Sequence, residues 1–318
     1  MSKRAQLSDD EDGSGSDVSL INVDFDFLSP NPDVDYQAIK RLLRQLFGRD
    51  AEQFNLHELT ELILSQTNIG STIKTDGEES DPYALLTVLN MHVHHEHPSI
   101  KAIAQYCLSK ASETPSSSTL HSTLQTLFSQ SENHVGLIIC ERLINMPVQT
   151  IPPLYNMLKD EVRNAVSQNL PYKFSHLLFI SRTYHLSLEE ESQLANSISE
   201  SEARKKKGKN KKRRSEANEQ SAAQDVRPDD GIYPFHPEDA AISELASHTL
   251  NYKYTAPLPE LQQEQRDRHA FGLDVRGRMM LLPILPSSES NSNAMETDEA
   301  SDTWDALAEK LSGDYGVH

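Results

Sequence analysis

From Ile21 to Phe27 (INVDFDF) apolar and polar residues alternate without a break, the period of two expected of a strand with one buried face. Pro30 and Pro32 end that pattern, and the period then changes. Ile39, Leu42, Leu43, Leu46 and Phe47 recur at i, i+3, i+4, i+7 and i+8, which predicts an amphipathic helix opened by Asp33 or Asp35 and stopped by Gly48. A second helix is predicted from Asn55, a capping residue with Glu58 three positions on, burying Leu56, Leu59, Leu62 and Ile63. Strand-like runs follow at Ile69–Lys74 and Tyr83–Val93, divided by an acidic turn from Thr75 to Pro82. Helical patterns at 99–110 and 118–130 lead into Val135–Cys140 (VGLIIC), a short unbroken apolar run that reads as a strand buried on both faces. Pro152 and Pro153 open a long amphipathic helix through Leu154, Met157, Leu158, Val162, Ala165 and Val166, because N–H groups of the first turn lack helical partners anyway. Phe174–Tyr184 (FSHLLFISRTY) is another buried strand. A helix at Glu238–Thr249, preceded by His236-Pro237, and strands at Asn251–Thr255 and Arg278–Leu285 complete the set.

Strands and helices alternate loosely and no fixed-period repeat is visible. The fold class this predicts is α/β (α+β), a mixed twisted sheet flanked by helices. Three stretches have no periodic apolar pattern and are rich in Ser, Asp, Glu, Asn and Lys, so burial cannot offset their chain entropy. They divide the chain into a disordered acidic tail at 1–18, one folded domain at 19–189 and 231–286, a disordered insert at 190–230, and a mostly disordered acidic tail at 287–318. The hydrophobic content of 36% and mean hydropathy of −0.58 fit this division. What remains, ~240 residues, suffices for a single core. Cys107 and Cys140 are the only cysteines and both sit among apolar residues, so no disulfide framework forms and a reducing compartment is expected. With no apolar N-terminal stretch and no run of 18 apolar residues, neither secretion nor membrane insertion is expected.

Charge changes the picture more than composition does. The formal net charge is −18, yet Arg204, Lys205, Lys206, Lys207, Lys209, Lys211, Lys212, Arg213 and Arg214 place nine cations in eleven positions (RKKKGKNKKRR). Without that run the charge is −18 − 9 = −27. A solvated Lys/Arg cluster with no apolar residue is what an import receptor reads, and it lies in a stretch reachable without unfolding the domain. Such a run also attracts RNA, but it has no interleaved aromatic residue, and the surrounding negative charge opposes direct nucleic-acid binding. The acidic remainder suits a cationic protein partner. A nuclear protein that shuttles to the cytoplasm and handles a basic client is the resulting expectation. Ser8, in Leu7-Ser8-Asp9-Asp10-Glu11-Asp12, matches what an acidophilic kinase modifies.

Candidate chemistry is sparse. His92 and His94, in Met91-His92-Val93-His94-His95-Glu96-His97, would share one face of a strand as two zinc ligands, but His-Glu-x-x-His and Cys-x-x-Cys are both absent. Polar residues closing a strand before Pro98 account for the cluster equally. There is no Gly-x-Gly-x-x-Gly, no Gly-x-Ser-x-Gly, and the pair Gly208-Lys209 is followed by Asn210 within the basic run. Adjacent acids such as Glu78-Glu79 and Glu189-Glu190-Glu191 read as solvated charges. No catalytic, cofactor or metal residue is assigned.

Val23–Phe47, Gly70–Asn90, Val135–Val162 (VGLIICERLINMPVQTIPPLYNMLKDEV), His176–Tyr184 and Gly277–Leu282 together resemble the BCCIP family, across almost the whole folded region. The resemblance implies a fold like the GCN5-related acetyltransferases, without acetyl-CoA and without catalytic residues. The residues agree, since such enzymes hold pyrophosphate on an Arg/Gln-x-x-Gly-x-Gly/Ala loop, and Glu141–Pro147 after the buried strand contains no glycine. It further implies a non-enzymatic nuclear binding protein that chaperones a large-subunit ribosomal protein. The resemblance to the family's fungal members also implies support of nuclear export of a phosphatidylinositol-phosphate kinase, and so of actin organisation and vesicular transport. Two alternatives stand beside it: an acyltransferase with a degenerate cofactor loop, and an RNA-binding adaptor working through residues 204–214.

Overall fold

The two unbroken apolar runs become the middle of one sheet, with a helical layer on each face. The computed structural model describes residues 24–193, 227–257, 274–284 and 303–316. In chain order these form β1 (Asp26–Leu28), α1 (Tyr36–Phe47), α2 (Leu56–Leu64), β2 (Ser71–Lys74), β3 (Ala84–Asn90), α3 (Pro98–Glu113) and α4 (Ser118–Ser129). Then come β4 (His134–Arg142), α5 (Ile151–Ser167), β5 (Phe174–His185), β6 (Ile232–Pro234), α6 (Glu238–Leu245), β7 (His248–Tyr252), β8 (Asp274–Pro283) and α7 (Thr303–Tyr315). Among the described residues the sheet order is β1-β2-β3-β4-β5-β8-β7, with β6 paired to β5 off that path. Every pairing is antiparallel except β4 with β5.

Alternation within the central strands sorts their side chains between two cores. Leu137, Ile139, Leu178, Ile180, Met279 and Leu281 face the layer of α1, α2, α3 and α4. Ile138, Leu177, Phe179, Met280 and Leu282 face α5, α6 and α7. A strand covered on both sides has no polar face to show, hence the unbroken runs.

The helices follow their sequence signals closely. α1 buries Ile39, Leu42, Leu43, Leu46 and Phe47, and it ends at Gly48, whose φ of 55° favours glycine. Asn55 caps α2 by accepting from the Glu58 N–H, and Pro152 and Pro153 lie in the first turn of α5.

Several expectations need correction. Strand β3 ends at Asn90 rather than Val93, because the Asn90 Oδ1 accepts from the N–H groups of His92 and Val93 and turns the chain. The helix expected at 238–249 stops at Leu245, and residues from His248 pair with β8 as strand β7. Here sheet pairing overrides a local helical pattern. Residues 188–193 are helical, so the expected insert boundary at 190 falls inside a helix opened by a Ser187–Glu190 capping box. The tail expected at 287–318 contains α7, whose Trp304, Leu307 and Leu311 belong to the second core and whose Ala308 is also buried. Asp305 binds Lys159 and Arg163 of α5 at 3.2 and 2.8 Å, and Lys310 binds Glu244 of α6 at 2.8 Å. Of the strand expected at 21–27, only Asp26 and Phe27 fall in β1, and Ile21, Asn22 and Val23 lie outside the described residues.

Candidate functional site

The parallel pair β4 and β5 runs from His134 opposite Phe174 to Ile138 opposite Phe179, with a one-residue register shift between His134 and Val135, and then the strands diverge. β4 continues along β3, while β5 continues along β8. An opening between two diverging parallel strands is where an α/β sheet offers backbone groups to a ligand. In this chain its own residues enter. β6 pairs with Thr183, Tyr184 and His185 on the side that β4 has left, and the Phe235 N–H bonds the Arg182 carbonyl.

The next residue, His236, joins the two strand ends through a buried charge network. Arg142 donates to Glu238 through Nη1 and Nη2 at 2.7 and 3.0 Å, and Nη1 also lies 2.5 Å from His236 Nδ1. His236 Nε2 lies 2.7 Å from Glu141, which accepts from Arg182 at 2.9 and 3.2 Å and from Gln45 of α1 at 3.0 Å. A guanidinium has only donors, so His236 Nδ1 must accept and its proton sits on Nε2, directed at Glu141. Both ring nitrogens are occupied. His236 therefore has no lone pair free to take a proton from a substrate, and the His–Glu contact is not a general-base dyad.

Two arginines and two glutamates balance within the network, as the low-dielectric position requires. Burial alone would push Glu141 up, but His236 and Arg182 reverse that and hold its carboxyl at about 2. Burial pushes both thiols up, Cys107 to about 12, so neither is an activated nucleophile.

Sequence reasoning missed this network. The available signal was a charge inside a strand that is otherwise apolar on both faces: Glu141-Arg142 directly after VGLIIC, and Arg182 within FISRTY. A buried charge requires a partner, although nothing local says which.

The other sequence candidates scatter. His92 leaves the sheet in the turn after β3 and stacks on His134, with ring centroids 5.1 Å apart. Its Nδ1 accepts from the Val135 N–H and its Nε2 donates to the Leu127 carbonyl. Burial, and then the neighbouring His97, pushes His94 below its ordinary value. Among the described residues no group of three or more His, Cys, Asp or Glu is arranged to hold a metal ion. No described helix is long and apolar enough to cross a membrane. Ser8 and the basic run Arg204–Arg214 lie outside the described residues. Exposed carboxylates gather at one sheet edge, with Asp24, Asp26 and Asp33 beside β1 and Asp76, Glu78 and Glu79 in the β2–β3 turn.

The BCCIP family model matches residues 20–242. Protein bcp1 of Schizosaccharomyces pombe is 41% identical over 239 residues, covering 75% of this chain and 77% of the relative. Protein bcp1 of Emericella nidulans is 38% identical over 296 residues, covering 89% and 93%. The crystal structure of BCP1 from Saccharomyces cerevisiae superposes with a TM-score of 0.56 at 23% identity, over 98% of this chain and 95% of that one, a likeness of fold.

Proposed function

Because this chain belongs to the BCCIP family, we propose that it is a non-enzymatic nuclear escort whose acidic surface masks a basic client, a large-subunit ribosomal protein. The observation that carries this reading is charge: −18 overall, with exposed carboxylates clustered at the β1 edge. A ribosomal protein is dense in Lys and Arg meant for RNA, and a polyanionic folded surface competes for those charges until rRNA offers a denser array of phosphates. An import receptor reads Arg204–Arg214 and concentrates the chain in the nucleus, from which it returns to the cytoplasm. The same shuttling supports nuclear export of a phosphatidylinositol-phosphate kinase, and through it actin organisation and vesicular transport.

The fold itself we read as that of the GCN5-related acetyltransferases, supported by the single central parallel pair that diverges. Against a retained acyltransferase activity stands the occupation of that divergence by β6 and His236. Acetyl-CoA at a hundred times its dissociation constant would raise folding stability by ~2.7 kcal/mol. No shift in thermal unfolding at millimolar acetyl-CoA is the expected result, and a clear rise returns the enzyme reading.

The escort reading is tested by titrating the purified chain with basic large-subunit ribosomal proteins at increasing salt. Affinity should fall steeply, as it does when surface charge drives association. Salt-independent affinity would remove electrostatic masking from the mechanism. Retention of RNA that is lost on deleting 204–214 would favour the adaptor reading instead.

A further inference from the structure

Where the turn after β3 meets α3 and α4, the surface holds a cavity of about 240 Å³. Met91 and Ile100 line it at 3% and 1% exposure, together with the half-buried Ala104, Leu108 and Phe128. Ile100, Ala104 and Leu108 recur at i, i+4 and i+8 on α3, a stripe ~12 Å long, and Phe128 of α4 borders the same space. All five belong to the first core or pack against it, so the cavity is a place where that core is left uncovered. The space offers water few polar partners, and an apolar side chain that enters it gains by leaving water.

The polar residues of the cavity are His92, His95, Glu96, Lys101 and Gln105, and they are not equally available. The His92 ring is used within the fold, by the Val135 N–H and the Leu127 carbonyl, and the Glu96 carboxylate lies 3.2 Å from His95 Nε2. Exposed Lys101 takes part in no ion pair among the described residues. A carboxylate arriving at the cavity therefore meets an unpaired ammonium, whereas an arriving ammonium meets like charge. The surroundings favour the same sign. Residues 91–131 hold two acids, Glu96 and Glu113, and two lysines, Lys101 and Lys110, so this stretch is neutral in a chain of −18. Glu113 is paired with Lys110 at 3.4 Å, and α4 contains no Asp, Glu, Lys or Arg. An acidic partner meets less repulsion here than over the acidic remainder.

We propose that this cavity docks an acidic segment of a partner protein, a short amphipathic helix that inserts a leucine or phenylalanine beside an aspartate or glutamate. The apolar side chain fills the space between α3 and α4, and the carboxylate pairs with Lys101 and accepts from the Gln105 amide. About two turns of helix match the length of the α3 stripe. This partner is opposite in charge to a basic client, and the two surfaces are separate. Carboxylates at the β1 edge suit a cationic protein, and the α3–α4 cavity suits an acidic one.

Methyl NMR of the full chain, titrated with three synthetic helical peptides, decides the matter. One peptide carries Leu at i and i+4 among Glu and Ala, the second replaces those Leu by Ala, and the third replaces the Glu by Lys. The first should shift the Met91, Ile100 and Leu108 methyl signals saturably, and the other two should not. Lys101→Glu should weaken the first peptide roughly fivefold, about what one surface ion pair supplies. Ala104→Phe, which fills the cavity, should abolish its binding. No shift with the first peptide at millimolar concentration overturns the proposal, and so does equal or tighter binding of the lysine peptide. Affinity unchanged in Lys101→Glu, or in an Ala104→Phe chain that still unfolds cooperatively, overturns it as well. If Ala104→Phe fails to fold, Lys101→Glu decides alone.

Discussion

Replacing Asp239 by Asn should make the folded chain more stable at neutral pH. Burial pushes the Asp239 carboxyl from 3.8 up to about 6, with the Glu238 charge adding to the effect and His236, Ser181 and Arg278 opposing it. A tenfold change in proton affinity is worth about 1.4 kcal/mol, so a rise from 3.8 to about 6 amounts to about 3 kcal/mol. Between those two values the folded chain keeps the proton and the unfolded chain has lost it. Stability therefore falls as pH rises through that window, and the loss is complete above the folded value. Asparagine keeps the shape and does not titrate. Urea unfolding followed by circular dichroism, from acid to neutral pH, should show the fall in the parent chain and not in Asp239→Asn. The gap should approach about 3 kcal/mol at neutrality. Glu141 acts in a lower window. Its carboxyl is held at about 2, so its contribution is present above the unfolded value and lost as pH falls. That contribution cancels between variant and parent. If the two stability curves stay parallel through the window, the Asp239 carboxylate carries no desolvation cost and the reasoning fails.

Lys74→Met should cost ~3–5 kcal/mol, because Lys74 and Asp35 form a 2.6 Å pair at 1% and 0% side-chain exposure and the variant leaves the buried Asp35 carboxylate with the Asn31 N–H but no counter-charge. A urea midpoint within error of the parent would mean that the pair is dispensable. Trp304→Ala should release α7, with a loss of ~3–5 kcal/mol and faster proteolysis after residue 302, since Trp304 is 6% exposed in the second core. Parent-like protease resistance would show that α7 docks without it. Replacing Lys205, Lys206, Lys207, Lys211, Lys212, Arg213 and Arg214 by Gln should leave the unfolding curve unchanged and shift a fluorescently tagged chain to the cytoplasm. A variant as nuclear as the parent would place the import signal elsewhere.

Much of the fold was legible before any coordinates, and the errors have local causes. α1, α2 and α5 appear where the apolar spacing puts them, with Asn55 and the Pro152-Pro153 pair acting as the starts they suggest. Trp304, Leu307, Ala308 and Leu311 carry the i, i+3, i+4, i+7 spacing of a helix, but the acidic, Ser-rich surroundings obscured it. At 248–249 the sequence permits either helix or strand, and pairing with β8 decided for strand. The histidines after Asn90 alternate as strand residues would, yet one side-chain amide ends β3 ahead of them.

The sequence by itself determined the class of the fold, the two-sided burial of its central strands and the segregation of charge, with nine cations in one run of an otherwise acidic chain. Each is a property of neighbours along the chain: periodicity records which faces are buried, and the clustering of like charge is set by the order of residues itself. Only the tertiary structure decided that β4 and β5 part company, that β6 enters between them, and that His236 bonds Glu141 on one strand while facing Arg142. Arg142 and Glu238 stand 96 positions apart, and Arg182 and Glu141 stand 41 apart. A charge in a buried strand announces that it needs a partner. Which partner it receives depends on where the chain returns in space, and no local pattern encodes that.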